Sequence, residues 1–361
     1  MSKLRLAMHP ASEGDALILS WGAGATPRRA LFDLGRTKNY RALKPLLAGL
    51  GELDLFVLTH IDADHIEGAV AMFKDAAPPF KAKAVWFNAH LQLGKANERL
   101  PRDDRVVLGA AQAEKVTAGI VATKWPWNPH FASGVVSIDS AEARAPIALD
   151  DGLTLTLLSP SDRKLATLLP VWNKELKKAG LRTTDPDEVA DAVASGRVRL
   201  GRLNVEALAA IPFKADGTAP NGSSIALIAE HEGKRVLMGA DAHADVVEAS
   251  LRALGASEAR PYRIDCLKMS HHGSRANTSP ALLKLLDCTR FAFSTDGTRH
   301  DHPDPETIAR ILKNDPDRRK TLIFNFRQEQ TEQWDDTALM RRWNYECRFP
   351  DAGKDGVEFE I

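Results

Sequence analysis

The chain has 361 residues, of which 44% are hydrophobic, and its 48 lysines and arginines match its 48 aspartates and glutamates. That apolar share can fill a full core, and the charge balance excludes a global basic field for gathering nucleic acid, leaving only a local basic patch open. The odd set Cys266, Cys288 and Cys347, scattered without metal-type spacing, fits buried small hydrophobes in a reduced compartment rather than a disulfide framework.

Residues 1–20 lack the charged start, apolar run and cleavage site of a signal peptide, and no apolar run reaches about eighteen residues. The expectation is a soluble, cytoplasmic protein with no membrane partner.

Residues 3–8 alternate as a strand, residues 9–15 turn through Glu13-Gly14-Asp15, and residues 16–21 form a second strand. A third, residues 29–32, ends in Asp33-Leu34-Gly35. Residues 40–50 have helical spacing, with Leu43, Leu46, Leu47 and Leu50 on one face and Gly51 as the stop. The apolar run 53–58 reads as a buried strand, and directly after it come His60, Asp62, Asp64, His65 and Gly68. Past a strand end, alternate side chains such as His60, Asp62 and Asp64 can point to one side while His65 begins the next element. Imidazole nitrogen and carboxylate oxygen are the donors a hydrolytic divalent ion prefers. A polar turn with a capping aspartate is the plainer alternative, but such turns seldom collect this many ligands at alternate positions.

This segment resembles the signature loop of the metallo-β-lactamase superfamily, His-x-His-x-Asp-His, with Asp62 where the second histidine usually sits. That substitution, followed by Gly68, is similar to the hydrolase domain of the ComEC-type competence proteins that take up DNA. The resemblance gives Asp33 the role of holding the metal loop by hydrogen bonds, which suits an ionised carboxylate.

Farther along, residues 66–74 read as a helix with Ala69, Val70 and Phe73 inward, and residues 84–87 as a short strand closed by Asn88 and His90, the latter a surface or pocket-wall residue with a ligand role as the lesser alternative. Residues 110–122 have helical spacing, residues 123–140 are irregular, and residues 145–149 and 153–158 are strands around Asp150-Asp151-Gly152. The second ends at Ser159-Pro160-Ser161-Asp162, where the parent superfamily would supply a third metal-binding histidine and this chain has none. Residues 163–220 read as a polar, helix-rich insertion, with helices at 165–178 and 186–194. It is expected to make a lid or partner surface, or to be an excursion without a role in recognition.

Asn221-Gly-Ser-Ser224 is expected to open a strand at 225–230, which returns through Glu232-Gly233 along 235–238 to Gly239-Ala240-Asp241. The resemblance matches Asp241 to the aspartate that bridges two metals in the superfamily. After a helix at 244–254, the strand 264–269 delivers Ser270-His271-His272-Gly273-Ser274, similar to the His-His-Gly-Ser motif of the competence family. The resemblance makes one of the two histidines the last ligand. Spacing leaves open which, since neighbours in an extended segment point to opposite sides. Residues 290–294 form a strand, and Arg299-His-Asp-His-Pro303 resembles the family's Gly-His-Pro stretch, which implies that His302 lies near the scissile bond as a phosphate donor or proton source, with capping of the following helix as the alternative. A helix at 308–312 and strands near 322–326 and 357–361 close the chain.

The resemblance implies a single domain over residues 1–361 with an αββα sandwich of two mixed sheets between helical layers. The leading function is a metal-dependent hydrolase, expected to be a phosphodiesterase or nuclease acting on nucleic acid or a nucleotide. Its site comprises Asp64 and His302 as catalytic residues, with His60, Asp62, Asp64, His65, Asp241, His271 and His272 around one or two divalent ions. The oxygen-rich set favours manganese and leaves zinc open. Ser274, Arg275 and Asn277 are expected to bind phosphate oxygens. The alternatives are hydrolysis of a carboxylic ester, lactone, thioester or lactam, or a degenerate module that binds without turnover.

Overall fold

The computed structural model describes residues 3–23, 26–101, 114–178 and 203–361. The helix expected at 186–194 and the first residues of the one expected at 110–122 lie outside them.

One sheet is six-stranded in the order β18-β1-β2-β3-β5-β7, built from β1 (Arg5–Met8), β2 (Leu17–Trp21), β3 (Arg28–Phe32), β5 (Leu55–Val57), β7 (Val85–Trp86) and β18 (Val357–Glu360). The other is eight-stranded, β17-β16-β15-β13-β11-β10-β9-β8. Its strands are β8 (Ile147–Ala148), β9 (Thr154–Ser159), β10 (Ala226–His231), β11 (Lys234–Met238), β13 (Cys266–Lys268), β15 (Arg290–Phe293), β16 (Lys320–Phe324) and β17 (Tyr345–Arg348). Two small pairs, β4 (Glu52–Leu53) with β6 (Lys81–Ala82) and β12 (Tyr262–Arg263) with β14 (Leu286–Asp287), stand beside them. Both large sheets are mixed: hairpin-linked strands pair antiparallel, and strands that follow helices pair parallel.

Period-2 alternation gives every central strand two apolar faces. Leu17, Leu19 and Trp21 of β2 and Leu227 and Ala229 of β10 point into the core between the sheets. Ile18 and Leu31 face outward under α1 (Thr37–Ala48), α2 (Ala63–Met72), α3 (His90–Arg99), α4 (Glu114–Thr123) and α5 (Asp162–Lys178). Ile228, Leu237 and Leu267 face the other way, under α6 (Val205–Ala209), α8 (Ala244–Ala253), α9 (Pro280–Lys284) and α10 (Pro305–Lys313). Helix, sheet, sheet, helix is the αββα sandwich, with a core at each of its three interfaces.

Several local expectations change. The apolar run at 53–58 breaks at Asp54, whose carboxylate accepts from Arg28 Nη1 at 2.9 Å and Lys83 Nζ at 2.8 Å. Helix α1 buries Tyr40, Leu43 and Leu47, while Leu46, expected on the same face, is 41% exposed. Asn221 and Gly222 belong to a short helical turn, α7 (Ala219–Gly222), instead of opening a strand. Short helices α11 (Glu329–Glu332) and α12 (Thr337–Trp343) precede β17. No helix among the described residues is long and apolar enough to cross a membrane.

Candidate metal centre

Strand direction brings the site together. β3 and β5 run parallel, and so do β11, β13 and β15, so the residues that follow these strands leave at a common edge. Met238 pairs with Lys268, which puts Asp241 and His271, each three residues farther on, at the same level. β2 and β10 start where their antiparallel neighbours end, adding Asp15 and Asn221 to that edge.

Helix α2 begins at Ala63, with Asp62 as its extended N-cap residue. Asp64 and His65 therefore lie in the first helical turn, and the alternation expected through Asp64 stops at Asp62. A helix start needs carboxylates more than an extended loop does, because its free N–H groups favour negative charge.

Asp33, buried and with a left-handed φ of 57°, is the anchor of the loop. Its Oδ1 accepts from Thr59 N at 2.8 Å, and its Oδ2 accepts from Thr59 Oγ1 at 2.7 Å and His65 Nδ1 at 2.8 Å. His65 thus carries its hydrogen on Nδ1 and turns Nε2 to the cluster, 3.4 Å from Asp241 Oδ2 and 3.7 Å from Asp64 Oδ2. His272 is set the same way: Nδ1 donates to Ser294 O at 2.8 Å, leaving Nε2 3.6 Å from Asp64 Oδ2 and 3.7 Å from Asp241 Oδ2. His60 Nε2 lies 3.6 Å from Asp62 Oδ2 and 3.8 Å from Asp241 Oδ2. His271 Nε2 is also 3.8 Å from Asp241 Oδ2.

Both members of the histidine pair reach Asp241 because the backbone there is not extended. His271 has φ 45° and His272 φ 54°, so the opposite-side rule does not apply. Strand spacing alone could not have shown this.

The donor set fits a divalent ion. Tetrahedral zinc with bonds of about 2.0–2.1 Å separates its ligands by about 3.3 Å, close to the spacings here. His60 Nε2 and Asp241 Oδ1 are buried without a hydrogen-bond partner, an arrangement that costs energy unless something else occupies them. Donor atoms of His60, His65 and Asp241, and of Asp64, His65 and His272, each lie within 4.8 Å of one another. The electrostatics agree. Burial opposes ionisation of Asp241, yet the imidazoles of His65, His272 and His271 hold its carboxyl well below the ordinary range. Burial likewise works against a charged His271, but Asp241 and Asp216 push it up to about 10. Carboxylates that draw protons onto imidazoles equally favour a cation.

His302 is buried, its ring 5.3 Å from that of His271, and neither ring nitrogen makes a hydrogen bond. Burial, then the neighbouring imidazoles of His271, His272 and His300, keep it neutral. The expected phosphate-binding trio is divided. Arg275, with a side chain 42% exposed, pairs with Glu306 at 2.8 Å. Ser274 is buried and its Oγ accepts from Ala276 N at 3.3 Å. Asn277 is fully buried beneath His271, its amide taken up by protein partners.

Sequence reasoning passed over Lys268 and Asp216, and took Asn221 only as the opening of a strand. Lys268 is fully buried and donates to Asp15 Oδ2 at 2.6 Å; a lysine inside an apolar strand was the available signal. Asp216 had no signal, since only the fold carries the insertion back to the site.

No family model matches the chain, and no curated protein matches it. Among solved structures it is similar to the metallo-beta-lactamase fold protein YhfI from Bacillus subtilis, at 10% identity and TM-score 0.41 over 100% of both chains. Zn(2+)-bound PqqB from Methylobacterium extorquens matches at 12% identity and TM-score 0.42, again over 100% of both chains. Superpositions this loose leave the architecture to rest on the chain's own sheets and cores.

Proposed function

We propose that the protein is a metal-dependent hydrolase whose substrates are phosphodiesters of DNA, RNA or a nucleotide. The observation that carries the reading is the convergence of His60, His65, His271 and His272 Nε2 atoms within 3.8 Å of Asp241 Oδ2, from loops at the ends of both sheets. Asp64, His65, His272 and Asp241 would hold one ion; His60 and Asp62, with Asp241 and His271, offer donors for a second. One or two manganese or zinc ions held there supply Lewis acidity, lowering the pKa of water and offsetting charge on phosphoryl oxygens.

The chain's own groups do the rest. Asp33 and Ser294 fix the tautomers of His65 and His272. His302, neutral and without a hydrogen-bond partner, presents one N–H and one lone pair at the edge of the cluster, the capacity to donate to a substrate oxygen. Arg275, whose side chain is 42% exposed and whose Nη1 donates to Glu306 at 2.8 Å, is the cationic candidate for a phosphate contact.

The test is elemental analysis of the purified protein with an assay on bis(p-nitrophenyl) phosphate, repeated on Asp64→Ala. Bound manganese or zinc with turnover lost in the variant is the expected result. Metal without turnover would move the substrate to carboxylic esters, and neither metal nor turnover in supplemented buffer would overturn the reading in favour of a binding module.

A further inference from the structure

The end of the insertion, residues 211–218, is clamped onto the body of the protein beside the His271 loop. Arg310 Nη2 donates to Ile211 O at 3.3 Å and its guanidinium lies 5.6 Å from the Phe213 ring centre. Through Nη1 the same arginine donates to Arg275 O at 2.7 Å and Thr278 O at 3.0 Å. A single buried guanidinium thus ties this arm to the loop that carries His271 and Asn277. Asp216 N completes the seam by donating to Ala276 O at 3.0 Å.

The Asp216 carboxylate is buried and saturated with donors. Oδ1 accepts from Thr218 N at 2.8 Å; Oδ2 accepts from Asn221 Nδ2 at 2.8 Å and from Asn277 Nδ2 at 3.0 Å. Asn277 Nδ2 also donates to the carbonyls of Asp241 at 3.1 Å and Ala242 at 3.3 Å. Every partner on that side of the Asn277 amide is an acceptor, so that side is the NH2 group. Asn277 Oδ1 is then the atom 3.0 Å from His271 Nδ1. An amide oxygen only accepts, so Nδ1 carries the hydrogen, and Nε2 is the nitrogen whose lone pair an ion would take in place of a proton. Asn221 Nδ2 also lies 3.3 Å from that Nδ1, but its closer bond is to Asp216. Asp216 Oδ2, 3.7 Å from His271 Nδ1, favours a hydrogen there by its charge as well.

We propose that Asp216 is a positioning residue, delivered by the insertion, which through Asn277 fixes His271 in the tautomer that turns its Nε2 lone pair toward an ion shared with Asp241. This inference rests on the metal-site reading above and gives the insertion a role in building the site. It also assigns His271 as a ligand alongside His272, supplying an imidazole that the chain lacks after β9.

The experiment uses full-length protein loaded with zinc and labelled with 15N-histidine. Long-range 1H–15N correlations of the wild type should show His271 with a hydrogen on Nδ1 and a metal-shifted Nε2. Asp216→Asn is nearly isosteric, yet it puts an NH2 group against donors that already point at this position. Its zinc affinity should fall about 10- to 100-fold at one ion, with the His271 Nδ1–H signal broadened or lost. A His271 without metal, or bound through Nδ1, overturns the proposal from the wild type alone, even if the variant does not fold. Unchanged affinity and unchanged His271 signals in a folded variant overturn it too, with the metal centre left standing. A wild type that takes up no zinc removes the metal-site reading and this inference together.

Discussion

Asp33 shows how one residue sets the geometry of several. Its carboxylate holds Thr59 and the His65 Nδ1–H at once, so it fixes both the loop after β5 and the tautomer of His65. Asp33→Asn keeps the shape but replaces one oxygen with an NH2 group that opposes either Thr59 or His65. We expect metal affinity to drop about 10- to 100-fold with the fold retained, measured by competition with a chromogenic chelator. Of the residues brought together at the site, His60, Asp64 and His65 were legible from their place after an apolar run, and Asp33 and Asp241 from the resemblance of their motifs. Asn277 was legible as part of the site but not in its role: only its burial and its carbonyl partners show that it faces His271.

At the scale of elements, α2 is seated by the absence of a side chain. A Cβ on Gly68 would lie 2.2 Å from Leu34 O, and Gly68 N donates to Gly35 O at 2.7 Å. Gly68→Ala must push the helix off the turn after β3, carrying Asp64 and His65 with it. The expected cost is about 1–3 kcal/mol in urea unfolding, with metal content reduced in parallel. The irregular segment after α4 is joined to β7 differently: Trp86 Nε1 donates to His130 Nδ1 at 2.9 Å. Burial holds His130 below its ordinary pKa of 6.5. As pH falls below 6.5 the unfolded chain takes up the proton first, so the stability present above that value is lost on the way down to the folded value. The His130 contribution should therefore be smaller at about pH 5.5 than at about pH 7.5, so the stability of the wild type relative to His130→Gln, which keeps an acceptor for Trp86 but cannot titrate, should fall from the higher of those pH values to the lower. Most strands of the two large sheets and their order of appearance were readable from the sequence, but β17 was not. Their ends shifted where a local interaction intervened, as Asp54 does by interrupting the run before His60 with its ion pairs.

Across the whole molecule, the two sheets meet at a buried ion pair beneath the site. Lys268 comes from β13 of one sheet and Asp15 from the turn before β2 of the other, both fully enclosed, 2.6 Å apart. Burial opposes the charge on Asp15, but Lys268 and the imidazoles of His272 and His65 outweigh it and hold the carboxyl down. Lys268→Met leaves that carboxylate buried without its cation, and we expect a loss of about 3–5 kcal/mol in chemical unfolding of chelator-treated protein. Lys268→Met combined with Asp15→Leu should recover most of the loss, since a matched apolar pair does not strand a charge. Equal instability of the single and double variants would assign the cost to packing instead.

The sequence by itself determined the alternation that makes each strand two-faced and the clustering of histidine and aspartate after those strands. Both are local properties: side-chain period and chain order decide them without reference to distant residues. Tertiary structure alone decided that His271 and His272 turn to the same side, because a left-handed backbone at both positions cannot be read from residue type. It alone decided that Asp216 returns from the insertion to stand behind Asn277, and that Lys268 finds Asp15 253 positions away. Those contacts close long loops, and a pairing made between segments so far apart leaves no periodic trace in either of them.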